Sequence, residues 1–216
     1  MVELMLRTIT ERFHLKAADV AEFRKMKISG MNFHIWAFEA EGLGHVSAMT
    51  ASGFFGLMKM DTLIINPTQK DMPLFSYDRV HAMGNDTLIY ELYDTILGSV
   101  DLGNVEAVKT KFNSLPNHDL GQHWYDSIKL PQSLSKKGKK GSTPIFDACT
   151  IAYLEAFLDA AETAAVCERA PNLEKTAVYV EGLLQHGGPS TDVFIQGIGQ
   201  EKTEKLFRHV LFGTLV

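Results

Sequence analysis

The side chains best suited to chemistry are two carboxylates set inside apolar runs. Asp78 stands in LFSYDRVHA (74–82) and Glu91 in LIYELY (88–93), where Glu91 alternates with Ile89 and Tyr93. A carboxylate among such neighbours costs several kcal/mol to bury unless it is paired or neutralised. Burial of that kind raises a carboxyl pKa toward the range useful to a general acid. The other reading of Asp78 is that it opens its strand and caps a turn. The histidines are less informative. His34 shares a face with Trp36; His45 sits on the second strand of this region and His81 on the fourth, on the face opposite Asp78 by strict alternation. His118 and His123 flank Trp124, and no third ligand completes a metal site, so none is expected. Arg208 and His209 on the last helix face either an acidic group of a ligand or water.

The remaining composition narrows the class. Cys149 and Cys167 form no CxxC motif and read as thiols in a reducing cytoplasm. An iron–sulfur cluster wants about four thiolates, so none is expected. A net charge of −5 argues against a general nucleic-acid binder. No apolar run approaches the roughly 20 residues of a membrane span, and the charged N-terminus has no signal-peptide core, so no membrane partner is expected. One local exception to the acidic balance is Lys136, Lys137, Lys139 and Lys140, which read as a glycine- and serine-rich loop. It is either a solvated loop or a docking patch for an acidic partner. Nine methionines, notably Met58 and Met60, suit a plastic surface for a large flat ligand, and equally an ordinary core.

These groups need a scaffold. Residues 16–27 read as a short helix, with Val20 and Phe23 at helical spacing. Five runs separated by turn signals then predict an antiparallel meander, with strands near 31–39, 44–51, 56–65, 75–83 and 86–93. Several are apolar on both alternating faces, which predicts helices over both sides of the sheet. Helices follow over 104–114 and, starting from Thr143-Pro144, over 143–167. Another starts at Pro171-Asn172 and stops at Gly187-Gly188, and two more span 191–198 and 200–212. The apolar stripe of the longest carries Ile145, Cys149, Tyr153 and Phe157. The expectation is one α/β domain over 1–216, a three-layer α/β/α sandwich with a central antiparallel sheet.

Two stretches carry a family resemblance. The first runs from Asn66-Pro67 through Asp78, in NPTQKDMPLFSYDRV; the second is the C-terminal PSTDVFIQGIGQEKTEKLFRHVLFGT. Together they resemble the ferredoxin-dependent bilin reductases. In that family a proline-ended strand is followed by D-x-P-hydrophobic-hydrophobic-x-x-D, here Asp71-Met72-Pro73-Leu74-Phe75-Ser76-Tyr77-Asp78. The specific matches cover about a fifth of the chain, and the order of elements covers most of it.

The resemblance implies a linear tetrapyrrole held between the sheet and the C-terminal helices. It implies single electrons from reduced ferredoxin, an acidic donor that the lysines would dock, and no metal or flavin held by the protein. It places Asp78 at the family's proton-handling aspartate. Thr62 stands where many members carry histidine or asparagine, and Met49 lies in the neighbourhood of a glutamate found in some. Asp192 falls three residues beyond the family's second aspartate, whose place here is Gly187-Gly188-Pro189-Ser190. Arg208 and His209 are candidates for a propionate, and Met60 for the bilin's flat face. The expected function is a bilin-reductase-like oxidoreductase. The alternative is a non-catalytic tetrapyrrole (bilin or heme-product) binding protein on the same fold.

Overall fold

A computed structural model describes residues 1–215, with all their side chains but those of Lys140 and Pro189. The chain opens with helix α1 (Val2–Thr10), which buries Val2, Met5 and Ile9. Strands β1 (Leu15–Ala17) and β2 (Lys25–Ile28) follow, then the meander of β3 (Met31–Ala40), β4 (Gly44–Gly53), β5 (Met58–Asn66), β6 (Leu74–Ala82) and β7 (Asn85–Tyr93). Helix α2 (Gly103–Lys111) leads to β8 (Leu134–Lys139), which pairs with β7. The last third holds helices α3 (Thr143–Thr163), α4 (Arg169–His186), α5 (Pro189–Ile198) and α6 (Gln200–Lys205), then a π-helix over Leu206–Leu211. Among the described residues the sheet has eight strands, all paired antiparallel.

Two sequence expectations fail here. Residues 16–27 are not a helix: β1 and β2, joined through a single turn of 3₁₀-helix at Ala21–Phe23, pair side by side along the outer edge of β3. Val20 and Phe23 are buried as their spacing suggests, but the unpaired backbone of a ten-residue strand outweighs local helical preference. The lysines are not in a loop. They occupy β8 and the turn after it, and Lys136 is buried. Its ammonium donates to the carbonyls of Asn113 (3.3 Å) and Leu115 (3.1 Å) and to Asn117 Oδ1 (2.7 Å). Lys136 is therefore a structural cation beyond the C-terminal end of α2, not a docking residue. Lys137 and Lys139 are exposed, and the side chain of Lys140 lies outside those described.

Alternation along the strands sorts the apolar residues into two clusters. Val46, Ala48, Leu63, Ile65, Phe75, Tyr77, Leu88, Tyr90 and Leu92 pack with α1, α2 and α3. Phe33, Ile35, Met49, Ala51, Ile64 and Tyr93 pack with α4, α5 and the π-helix. On α3 the buried positions include Phe146, Cys149, Tyr153 and Phe157, while Ile145, one residue earlier, is exposed. Arg79 and Asp86 form a fully buried ion pair on this first face, with the guanidinium 5.0 Å from the Phe146 ring centroid. Cys149 is enclosed here too, and burial pushes its thiol up to about 12.

The second cluster is closed by a polar latch. A π-helix leaves its last carbonyls without intrahelical partners. Three side chains on β4 and β5 take them: His45 Nε2 meets the carbonyl of Val210 (2.9 Å), Ser47 Oγ donates to Leu211 (2.7 Å) and Asn66 Nδ2 donates to Phe212 (2.8 Å). Asn66 Oδ1 accepts in turn from Thr176 on α4 (3.0 Å). The chain leaves the latch through Gly213, whose φ of +60° and contact with the His45 ring exclude a side chain.

Asn66→Ala is therefore expected to strand two buried partners and to lower stability by about 1–3 kcal/mol. Denaturant titration with amide exchange over 206–212 checks this. Unchanged stability with unchanged protection of that segment would show that the latch carries no weight.

Candidate functional site

On the second face the sheet register lays out a floor. One row across the strands reads Ile35, Met49, Thr62, Asp78 and Ile89, and its neighbour reads Ala37, Ser47, Ile64, Ser76 and Glu91. The helices do not cover this floor completely. Two adjoining cavities, about 170 Å³ and 410 Å³, open above it. Asp78, Glu91, His123, Tyr125, Ser190 and Phe194 line both, so they act as parts of one cleft. The combined space falls in the range of small-molecule sites.

Asp78 lies at the centre of this floor. Desolvation raises its pKa to about 6, with Thr62 opposing the shift and nearby Glu91 adding to it. Thr62 Oγ1, its direct cross-strand neighbour, donates to Asp78 Oδ1 at 2.5 Å. The hydroxyl is the only hydrogen-bond partner of the Asp78 carboxyl group among the described residues. A carboxyl group in that state exchanges a proton near neutrality, which is the property a general acid needs.

Glu91 lies diagonally across the sheet from Asp78, since Asp78 pairs with Ile89 and Ser76 with Glu91. It accepts from the Tyr93 hydroxyl (2.6 Å) and faces Lys129 Nζ at 3.5 Å. Lys129 is shared with Asp126 (2.8 Å). Glu91 also borders a third, shallower pocket of about 100 Å³ with Lys129 and Ser135. It thus stands between the cleft and the outside, with a cation behind it.

The opposite wall is aromatic. Tyr93, Tyr125 and Tyr179 surround the smaller cavity, and burial holds all three phenols well above their ordinary pKa, hence neutral. The segment bearing His123 and Tyr125 is pinned by Trp124, whose indole packs on Gly182 of α4, where any Cβ would overlap the ring. The His123 and Tyr125 rings stack at 4.8 Å. Phe207, Leu211 and Phe212 complete this wall, so the latched C-terminal turn is part of the site.

Of the eight residues predicted for catalysis or ligand binding, the structure brings five together. Asp78, Glu91, Thr62 and Met49 line the smaller cavity, and Met60 lines the larger. Asp192, Arg208 and His209 do not line either. Asp192 and His209 are exposed, and Arg208 pairs with Glu181 (2.9 Å) and Glu204 (3.6 Å). His45 lies on the same face as Asp78, committed to the latch, whereas His81 is on the other face beside Asp86. Sequence reasoning missed Tyr93, Tyr125, Tyr179 and Trp124 as cleft residues. Trp124 and Tyr125 had one sequence signal, aromatic residues clustered in an otherwise polar segment, His123-Trp124-Tyr125, and Tyr93 and Tyr179 had none. Among the described residues no group of three or more His, Cys, Asp or Glu side chains is arranged to hold a metal. Nor is any helix long and apolar enough to cross a membrane.

No protein-family model matches this chain, and no curated protein matches it significantly. Among solved structures it is similar to phytochromobilin synthase from tomato, in a crystal structure in complex with biliverdin. The TM-score is 0.80, with 13% identity, over 99% of this chain and 82% of that one. At that identity the likeness establishes the fold: mixed α/β with a large antiparallel sheet.

The Asp78 environment makes a pH prediction whose sign can be worked out. Its folded pKa of about 6 lies above its ordinary 3.8, so between these values the folded state binds more protons than the unfolded. Stability from this group is fully present below about pH 4 and falls as pH rises through 6, by about 2–3 kcal/mol. Asp78→Asn is expected to be more stable than the wild type at neutral pH by up to that amount, and equal to it near pH 4. Denaturant melts across this range check it; parallel pH profiles for the two proteins would contradict the environment described.

Proposed function

We propose that this protein is a bilin-reductase-like oxidoreductase that binds a linear tetrapyrrole in the cleft and protonates it from Asp78 as single electrons arrive from ferredoxin. The observation that carries the reading is Asp78 itself, a carboxyl group with a pKa of about 6 on the floor of an apolar and aromatic cleft. The likeness to a protein crystallised with biliverdin supports the choice of ligand class. In this reading one domain spans 1–216 as a three-layer α/β/α sandwich in the cytoplasm. Helices α1–α3 lie on one face, and the later helices cover the ligand on the other.

The chemistry balances without a cofactor held by the protein. Reducing one double bond takes two electrons and two protons. Reduced ferredoxin gives the electrons one at a time, and Asp78 gives a proton to the radical anion, making a neutral radical. A second electron and a second proton complete the bond. Glu91, ion-paired with Lys129 and bordering the outer pocket, relays a proton from outside back to Asp78, which supplies the second. Thr62 orients Asp78, and Met49, Met60 and the tyrosines pack on the ligand's flat faces. Arg208 and His209 would reach a ligand's propionates, and Asp192 its pyrrole nitrogens, only where these extend beyond the cavities.

One observation favours a second reading, a non-catalytic bilin or heme-product carrier. The hydrogen-bond partner of Asp78 is a threonine, which orients the carboxyl but exchanges no protons near neutrality. The two readings part in one experiment. Biliverdin added to the purified protein should shift its visible spectrum, and reduced ferredoxin should then bleach and replace that spectrum. Asp78→Asn should bind biliverdin, accumulate a one-electron radical and turn over about 10²–10⁴-fold more slowly. A bound spectrum unchanged by reduced ferredoxin would leave the carrier, and wild-type reduction by the variant would remove Asp78 from the mechanism.

Docking of the donor makes a separate prediction. Lys137, Lys139 and Lys140 remain candidates of the lysine cluster, and of these Lys137 and Lys139 are exposed on the edge strand. Changing both to glutamine should slow ferredoxin association and flatten its salt dependence without altering bilin affinity. Unchanged association at low salt would place the docking surface elsewhere.

A further inference from the structure

One end of the sheet is built unlike the rest of the surface. The turns β2–β3, β4–β5 and β6–β7 meet there, beside the end of β8. Four non-glycine residues hold positive φ in these turns: Ser29 (50°), Phe54 (51°), Phe55 (56°) and Met83 (49°). That conformation is ordinarily left to glycine or asparagine, and it is least expected of a bulky side chain. Here it turns large apolar groups outward. Phe54 and Leu57 are more than half exposed, and Phe55 and Met83 stand almost entirely in solvent. Two of the tips are tied together, because Met83 N–H bonds the carbonyl of Leu57 (3.3 Å), whose own N–H bonds that of Phe54 within its turn (3.1 Å).

Charge at this end runs against the whole. The segments 25–31, 52–60, 80–87 and 136–142 contain seven lysines, of which Lys136 is buried, and one acidic residue, Asp86, in a chain of net charge −5. Asp86 is buried against Arg79, so it does not offset them at the surface. Lys25, Lys27, Lys59, Lys137 and Lys139 are exposed. Apolar tips ringed by lysines suit a boundary where hydrocarbon lies behind a layer of negative charge. Separate convex turns fit a soft surface better than a complementary protein pocket. The cleft reaches the same end: Met31 and Met58, at the bases of these turns, line the larger cavity.

We propose that this end of the sheet docks on an anionic lipid surface, with Phe54, Phe55, Leu57 and Met83 entering the interface and the lysines at the headgroups. That no helix among the described residues can span a membrane does not bear on this, since lying on a membrane requires none. The inference stands apart from what the cleft holds, although it would give an apolar ligand a direct path from lipid to cavity.

Flotation with phosphatidylcholine vesicles, with and without phosphatidylserine, tests it. The wild-type protein should float with the anionic vesicles at low salt and be released as salt is added. The double variant Phe54→Ser, Phe55→Ser should bind about tenfold or more weakly. Lys27→Gln and Lys59→Gln should each cost about fivefold on anionic vesicles. Circular dichroism and biliverdin absorbance should match the wild type in all three, because none of these side chains lines the cleft. No flotation at low salt, or flotation indifferent to the two phenylalanines, overturns the proposal. So does a wild-type dimer, or a ferredoxin association, that the phenylalanine variant abolishes while vesicle binding is absent.

Discussion

The second face of the sheet depends on how the chain's last turn is held. The π-helix at Leu206–Leu211 is an unfavourable way to end a chain unless its free carbonyls find donors, and His45, Ser47 and Asn66 provide them from two adjacent strands. All three project from the same face because strand side chains alternate with period two. Their neighbours on that face, Met49, Thr62 and Ile64, are the floor of the cleft. The latch therefore does two things at once. It satisfies backbone groups that could not otherwise be buried, and it sets Phe207, Leu211 and Phe212 at a fixed height above the floor.

That height decides the electrostatics. Were the helices lower, Asp78 would be sealed in and would need a cation; were they absent, it would be an ordinary solvated carboxylate. The cleft leaves it accessible to a ligand but poor in water, with one neutral hydroxyl as partner. The ion pairs of other charged groups, buried Arg79 with Asp86 and partly exposed Lys129 with Asp126 and Glu91, lie on the other face or at the cleft's margin. The three neutral tyrosines add polar edges without adding charge. Such walls offer apolar and aromatic contact with few hydrogen-bonding edges.

The two faces divide the work. The face under α1, α2 and α3 is filled by Tyr77, Tyr90, Tyr153 and Phe157, with Tyr90 and Tyr153 stacked at 4.2 Å. The Tyr90 and Tyr153 hydroxyls donate to the carbonyls of Thr150 and Gln132, and neither of the two cleft cavities reaches this face. The other face is incompletely packed, and the chain accepts that loss where the space is useful.

The sequence by itself determined the meander, because five runs with clear turn signals can bury their apolar residues only as paired strands. It also picked out Asp78 and Glu91, since a carboxylate in an apolar run is conspicuous without coordinates. Local pattern could not say that 16–27 would become two edge strands, or that Lys136 would be buried while Lys137 stayed in water. Both outcomes depend on partners far along the chain: the open edge of β3 in one case, the end of α2 in the other. The aromatic wall was invisible for the same reason. Tyr93, Tyr125, Tyr179 and Phe212 come from four separate elements, and only the packing of α4 through Gly182 onto Trp124 brings them around one space. Periodicity reports which side of an element is buried; what it is buried against is set by long-range packing, and a binding site is made of those contacts.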